Sequence, residues 1–99
     1  MESVEGFDWD EGNWPKCGKH GVSKEEIESL FARSPMILRD PYPSEIEVRF
    51  NAVGRTQSDR PLFVAFTVRR DGDEPRIRPI SARYMHEKEV QRYEQTRKT

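Results

Sequence analysis

The sequence contains little cysteine, few apolar residues and almost no net charge. With one cysteine, Cys17, among 99 residues, it can form no intrachain disulfide and no cysteine-based zinc site. Hydrophobic residues make up only 33% of the chain. Its longest largely apolar stretch, residues 61–68, is far shorter than the roughly 20 residues of a membrane span. The acidic residues 1–11 lack the basic start and apolar run of a secretion signal. We therefore expect a cytoplasmic location and no membrane partner.

The length of the chain suits one domain, which we expect to cover residues 1–99 with a thin core. Two Trp, three Tyr and five Phe favour a packed domain over disorder. The sequence has no glycine-rich loop of the kind that binds phosphates. Residues 71–73, Asp-Gly-Asp, lack the glutamate spacing of a calcium-binding loop and predict a turn. We therefore expect no metal and no cofactor.

The small net charge of −1 hides a division of charge along the chain. Residues 1–48 hold five basic and eleven acidic residues, a charge of −6. Residues 49–99 hold twelve basic and seven acidic residues, a charge of +5, and ten of these basic residues are arginine. The guanidinium group suits bidentate contacts to phosphate. The asymmetry favours a polyanionic partner.

A capping box predicts the clearest helix. The Ser23 hydroxyl can accept a hydrogen bond from the Glu26 amide, and the Glu26 side chain can reach back to the Ser23 amide. Val22 and Ile27 occupy the two positions of a hydrophobic staple. Apolar residues then recur at helical spacing until Pro35, which ends the helix.

A shorter helix is predicted before it. Either Asp10 or Asn13 would cap its start, and it would end near His20, with Gly21 just beyond its C-terminus. Pro15 weakens this helix.

The second half of the chain predicts three strands. Apolar and polar residues alternate over residues 46–51, which is typical of a half-buried strand. Residues 62–68 are continuously apolar, as expected of a central strand covered on both faces. Residues 76–83 predict a third strand, in which Pro79 indicates a sheet edge or a bulge. Short connections favour an antiparallel meander.

The highly charged residues 85–97 predict a final helix. His86, Val90 and Tyr93 fall on one face of it. The order of elements predicts an α+β domain of two layers. It would hold two N-terminal helices, an antiparallel sheet of three to four strands and a C-terminal helix.

Seven segments of the chain share their order and spacing with one protein family. They are FDWDE at 7–11, KHGVS at 19–23, EEIESLF at 25–31, VRFNAVGRT at 48–56, LFVAFTVR at 62–69, RIRPISAR at 76–83 and EVQRYE at 89–94. On these segments the chain resembles the BrnT family of bacterial toxins, compact members of the RelE-like ribonuclease superfamily. It departs from the family at Pro15 and Gly18 in the first predicted helix, and at Pro79, where an aliphatic residue is usual.

The resemblance implies a toxin of a type II toxin–antitoxin system. Such a toxin would be a metal-independent endoribonuclease that inhibits translation and arrests growth. A cognate antitoxin of the ribbon-helix-helix class would neutralise it. DNA would be contacted only through the complex with the antitoxin.

RNA cleavage without a metal needs a base near the 2′-hydroxyl, an acid near the leaving oxygen and positive charge at the phosphate. Arg49, Arg78 and Arg83 are the candidates for the charge, because strands of one meander can bring them to one sheet face. The alternative is a solvated face whose salt bridges contribute little. Further candidates for RNA binding are Lys19, Arg55, Arg69, Arg70 and Arg76.

The acid and the base stay open at this point. His20 is a candidate because imidazole is a common acid or base in catalysis, or it caps the end of the first helix. Tyr93 donates a proton or stacks on a base, or it packs the last helix onto the sheet. Glu89 acts as a general base, or it pairs with Arg92 on the same helix. A second interpretation of the whole chain is a non-catalytic module of the same fold that binds protein or RNA.

Overall fold

The fold is built on a four-stranded antiparallel sheet with the strand order β1-β2-β3-β4. A computed structural model describes residues 6–41, 47–72 and 74–98. No helix in these ranges is both long and apolar enough to cross a bilayer. The elements are a 3-10 turn at Lys16–Gly18, helix α1 at Lys24–Ala32, strands β1 at Met36–Arg39, β2 at Phe50–Arg55, β3 at Pro61–Asp71 and β4 at Glu74–Tyr84, and helix α2 at Glu87–Lys98.

The sheet separates two apolar clusters, because neighbouring residues of a strand point to opposite faces. On one face, Ile27 and Leu30 of α1 belong to the larger cluster, together with Ala52 of β2. On the other face, Val90 of α2 packs in a smaller cluster with Val53, the next residue of β2. The sheet therefore carries one helix on each face, which makes three layers where two were predicted.

The α+β class and the antiparallel sheet are confirmed, but the first predicted helix is wrong. Residues 10–21 form turns and the single 3-10 turn Lys16–Gly18. Pro15 lacks the amide hydrogen that a helix interior needs. Asn13 is buried, and its side-chain amide donates a hydrogen bond of 2.9 Å to the carbonyl oxygen of Pro79 in β4. The side chain that was expected to cap a helix therefore binds this segment to the sheet.

The capping box of α1 is confirmed. The Glu26 amide donates to the Ser23 hydroxyl oxygen over 3.1 Å, and the Ser23 amide donates to the Glu26 carboxylate over 3.2 Å. Val22 and Ile27 are both buried, as a hydrophobic staple requires. The helix ends at Ala32, before the Ser-Pro step that predicted its end.

The strands differ from the prediction at the start of the sheet. The strand predicted over residues 46–51 begins only at Phe50, and Ile46 lies outside the described residues. Strand β1, whose Ile37 pairs with Ala52 of β2, was not predicted. A strand of four residues is too short to show a clear alternation of apolar and polar side chains.

The long pair β3–β4 has one irregularity. Ala65 pairs with Ser81 and Phe66 pairs with Pro79, so Ile80 has no partner in β3. One extra residue on one strand of a pair is a β-bulge. The predicted bulge or edge position of Pro79 is therefore confirmed on both counts, because β4 is also the last strand of the sheet.

Replacing Val90 with alanine should destabilise the fold through α2. Val90 is fully buried and provides an apolar contact for an otherwise polar helix. Losing its two methyl groups should lower the free energy of unfolding by about 2 kcal/mol in a urea titration. Lys88→Ala, two residues away on an exposed position of α2, should change it by less than about 0.5 kcal/mol. Equal effects of the two variants would contradict the packing of α2 through Val90.

Candidate functional site

The bulge in β4 puts two arginines on one face of the sheet. Arg78 lies opposite Thr67 of β3, and Arg83 lies opposite Phe63. Thr67 and Phe63 are four residues apart and share a face. In a regular strand Arg78 and Arg83, which are five residues apart, would point to opposite faces. The unpaired Ile80 reverses the alternation, so both arginines project from the face that α2 partly covers.

Arg83 is the centre of a polar group between β4 and α2. Its guanidinium donates to both carboxylate oxygens of Glu89, over 3.2 and 3.0 Å, and lies 4.7 Å from the ring centre of Phe63. Tyr93 follows Glu89 by one helical turn and packs against the smaller apolar cluster. The side chains of Arg83 and Glu89 are 45% and 33% exposed. The structure thus brings three candidate residues together in a group that solvent can reach.

The ion pair in this group shifts the pKa of both partners. Hydrogen bonds from Arg83 hold the pKa of Glu89 below its usual range, although desolvation acts in the other direction. The same hydrogen bonds raise the pKa of Arg83. Glu89 is therefore a carboxylate at neutral pH, and it is held by a cation.

Lys19 and His20 lie at the outer edge of β4, just after the 3-10 turn. They line a cleft together with Ser81. Ser81 is exposed and precedes Arg83 by two residues, about 7 Å along the strand. The structure therefore brings His20 to Ser81, and Arg83, Glu89 and Tyr93 are not among the residues that line this cleft. The alternative role of His20 as a helix cap has no α-helix to act on, because only a 3-10 turn precedes it.

Arg78 is held inside the same chain. It is 9% exposed, and its guanidinium donates to Asp8 over 3.2 Å and to Asp10 over 3.0 and 2.9 Å. Hydrogen bonds from Arg78 lower the pKa of Asp10, and those to Asp10 raise the pKa of Arg78. A Cβ atom at Gly12 would lie 2.8 Å from the Arg78 Nη2 atom. RNA binding by Arg78 stays a prediction that requires these ion pairs to open.

Arg55 is engaged between β2 and α2. It donates to Glu94 over 3.0 and 3.1 Å and to both carboxylate oxygens of Glu87, and its side chain is 19% exposed. These hydrogen bonds, with that to Glu87 the strongest, raise the pKa of Arg55. Arg55 thus fastens α2 to the sheet, and its contact with RNA also stays a prediction. Arg49 precedes β2 and is exposed.

The remaining three candidate arginines lie at the β3–β4 hairpin. Arg69, Arg70 and Arg76 line a cleft together with Asp8. Arg69 also donates to Glu47 over 3.0 Å. This cleft lies at the other end of β4 from Arg83, so the structure divides the candidate arginines between two places on the sheet.

One family profile matches residues 9–89, that of the ribonuclease toxin BrnT of type II toxin–antitoxin systems. The chain belongs to the BrnT family. No curated protein matches the sequence. Membership of this BrnT family makes RNA the target and a cognate antitoxin the partner. Arg78, Arg83 and Glu89 fall inside the matched range, and Tyr93 lies just beyond it.

The aspartates that hold Arg78 in this BrnT-family chain were not predicted from the sequence. Asp8 and Asp10 are separated from Arg78 by 70 and 68 residues. A pattern of local spacing cannot reveal such a pair. The available signal was that both aspartates belong to the FDWDE segment that supported the family resemblance. Phe63 lies in the apolar run of residues 62–68, and its ring also faces the guanidinium of Arg83.

Replacing Arg83 with glutamine should raise the pKa of Glu89, because the cation that lowers it is removed. A carboxylate titration by NMR measures this change. Glu87 is the internal control, because Arg55 and not Arg83 lowers its pKa. The depressed pKa of Glu89 also means that the ion pair stabilises the fold above the usual glutamate pKa. That stabilisation is lost as the pH falls through the lower folded-state value. An unchanged Glu89 titration in Arg83→Gln would contradict the ion pair.

Proposed function

We propose that the chain is a metal-independent endoribonuclease that uses the 2′-hydroxyl of RNA as the nucleophile. The observation that supports the proposal is the grouping of Arg83, Glu89 and Tyr93 on an open face of a BrnT-family chain. The 2′-oxygen attacks the adjacent phosphorus, and the bond from phosphorus to the 5′-oxygen breaks. The products are a 2′,3′-cyclic phosphate and a 5′-hydroxyl. One proton leaves the 2′-hydroxyl, and one proton reaches the 5′-oxygen.

Arg83 stabilises the negative charge that develops on the phosphate. Its guanidinium already makes two parallel hydrogen bonds to a carboxylate, and two phosphate oxygens accept from the same fork. The arriving phosphate therefore displaces Glu89. The released carboxylate lies beside the bound phosphate, where it accepts the proton of the 2′-hydroxyl. Because the arginine provides the positive charge, this step does not depend on a metal ion.

The proton for the 5′-oxygen has two candidate donors. Tyr93 lies one helical turn after Glu89, on the same side of α2, so its phenol is near the phosphate. His20 lies in the cleft at the outer edge of β4, beside Ser81. We propose Tyr93 as the donor or as the ring on which a base stacks, and His20 as the second candidate donor. Lys19 in the same cleft is proposed to bind the RNA backbone.

The finer description of the partner is also a proposal. We propose that the antitoxin is of the ribbon-helix-helix class and that DNA is contacted only through the complex. Over residues 87–96, α2 mixes acidic and basic side chains, which does not suit a helix that reads a DNA groove.

Co-expression with the short reading frame adjacent to the gene should yield a complex that binds promoter DNA. The toxin chain alone should not bind this DNA in a gel-shift assay, because no basic recognition helix is present in residues 87–96. Sequence-specific DNA binding by the isolated chain would contradict the proposal. Absence of any complex would contradict the proposed partner.

Replacing Arg83 with glutamine should lower the rate of RNA cleavage by about 10²- to 10³-fold, which is typical of losing one donor to a developing oxyanion. The assay uses purified protein, an RNA oligonucleotide and EDTA. Arg39→Gln is the matched control, because Arg39 is exposed on β1, at the opposite edge of the sheet. The wild-type product should carry a cyclic phosphate. An RNA with a 2′-deoxy residue at the cleaved position should resist.

Several outcomes of that assay would contradict the proposal. One is cleavage that requires a divalent metal, and another is an unaltered rate in a folded Arg83→Gln variant. Binding of RNA without cleavage, with or without ribosomes, would instead favour a non-catalytic module. The observation that favours this second function is that Glu89, the proposed base, is engaged by Arg83 in the structure.

A further inference from the structure

The hairpin end of the sheet carries a basic cleft that the proposed reaction does not use. We call this the hairpin cleft, and it is lined by Arg69, Arg70, Arg76 and Asp8. Asp8 is the one carboxylate among these four lining residues, and it already accepts a hydrogen bond from Arg78. The lining is therefore cationic.

The pairing of β3 with β4 places two of these positive charges opposite each other, which lowers the stability of the sheet. Arg69 lies directly opposite Arg76 in the β3–β4 pair. Like charges at directly opposite positions of an antiparallel pair destabilise a sheet. Glu47 offsets part of this cost through its 3.0 Å contact with Arg69, whose side chain is 48% exposed. An arrangement that costs stability indicates a requirement other than folding.

Arg76 gives a second, independent indication of a ligand. Its Nε atom is buried and has no hydrogen-bond partner among the described residues. Buried donors in native structures are nearly always paired, so an unpaired one calls for an explanation. The rest of the side chain is only partly buried and lines the hairpin cleft. An anion bound in the cleft would supply acceptor oxygens to this guanidinium.

Arg69 and Arg76 of the hairpin cleft project from the same face of the sheet as the Arg83 group, whereas Arg70, the next residue of β3, reaches the cleft from the other face. Arg83 pairs with Phe63, and Arg76 pairs with Arg69, six residues further along β3. At the rise of an antiparallel strand this separation is about 20 Å. Two residue pairs of β3 and β4 lie between these places, Ala65–Ser81 and Thr67–Arg78. The first pair has small side chains, whereas Thr67 and Arg78 are buried, and Arg78 is ion-paired with Asp8 and Asp10. An extended strand that joins the two basic groups therefore passes over the Arg78 ion pairs.

We propose that the hairpin cleft binds a phosphate of the same RNA strand, several nucleotides from the phosphate that is cleaved. This inference rests on the proposed function, because it takes RNA as the substrate. Arg76 provides a phosphate contact, and Arg69 and Arg70 contribute once the phosphate competes with the groups of the chain that they already contact. The cleft makes the affinity for RNA depend on the length of the strand.

The test measures RNA binding by fluorescence anisotropy over a series of salt concentrations. The probes are two 2′-O-methyl oligonucleotides, which cannot be cleaved, of three and twelve nucleotides. Each phosphate contact contributes about 0.7 to the slope of log K against log salt for a single strand. Arg70→Gln and Arg76→Gln should each lower the slope for the twelve-nucleotide probe by about 0.7. Neither variant should change binding of the three-nucleotide probe.

Arg39→Gln is the matched control, because it removes the same charge at the far edge of the sheet. An equal fall in the slope of log K against log salt for Arg39→Gln would show that only the net charge of the protein matters, and would overturn the proposal. An unchanged slope in both cleft variants would also overturn it. If a cleft variant lost binding to the three-nucleotide probe, the hairpin cleft would be part of the cleavage site. That result would overturn the proposal of a separate phosphate site. Thermal unfolding verifies each variant, and the exposed Arg70 carries the test if Arg76→Gln does not fold.

The two proposals fail in different ways. If the wild-type chain neither binds nor cleaves RNA, the proposed function fails, and the hairpin cleft fails with it. If the chain cleaves RNA with Arg83 dependence while the cleft variants match wild type on the long probe, only the further inference fails.

Discussion

The pairing of β3 with β4, interrupted once at Ile80, is the constraint on which the rest of the structure depends. It sets the face from which each arginine of β4 projects, and it aligns Ile77 and Ala82 with the same larger cluster although they are five residues apart. Without the extra residue, one half of β4 would turn its apolar side chains to solvent and its arginines to the core. Packing and charge thus require the same bulge, and Pro79, which cannot donate to the ladder, stands beside it.

Three arginines of this face, Arg69, Arg78 and Arg83, form ion pairs with carboxylates of the chain's acidic half or of α2. These ion pairs differ in how far the arginine side chain is buried. Arg78 is buried, and its ion pairs with the partly exposed Asp8 and the exposed Asp10 hold residues 8–10 to the sheet, because an unpaired buried charge is costly. Arg83 and Arg69 are about half exposed, and their ion pairs are of the kind that contributes little stability and exchanges readily with a competing anion. Depth of burial therefore separates arginines that hold the fold together from arginines that remain available to a ligand.

Short sequence motifs predicted the parts of the fold that are formed by contacts between residues close together in the chain. The hydrogen bonds between Ser23 and Glu26 close within three residues, and the long apolar run of β3 is visible in the sequence. The predicted first helix failed because Asn13 finds its partner in Pro79, 66 residues away. The arginines were found as candidates by their number and by family resemblance. Which arginines are buried in ion pairs and which are exposed depends on carboxylates far away in the sequence. The spacing of residues along the chain does not reveal these partners.

The ion pairs of Arg78 with Asp8 and Asp10 have a consequence for self-association. β4 is the last strand of the sheet, and the outer edge of a last strand is a template on which another chain can pair. At Ile77 the amide donates to Gly6 and the carbonyl accepts from Asp8, while the carbonyl of Pro79 accepts from Asn13. Proline itself offers no donor. The segment that neutralises one arginine thereby also occupies the backbone groups by which copies of this small protein would otherwise join edge to edge.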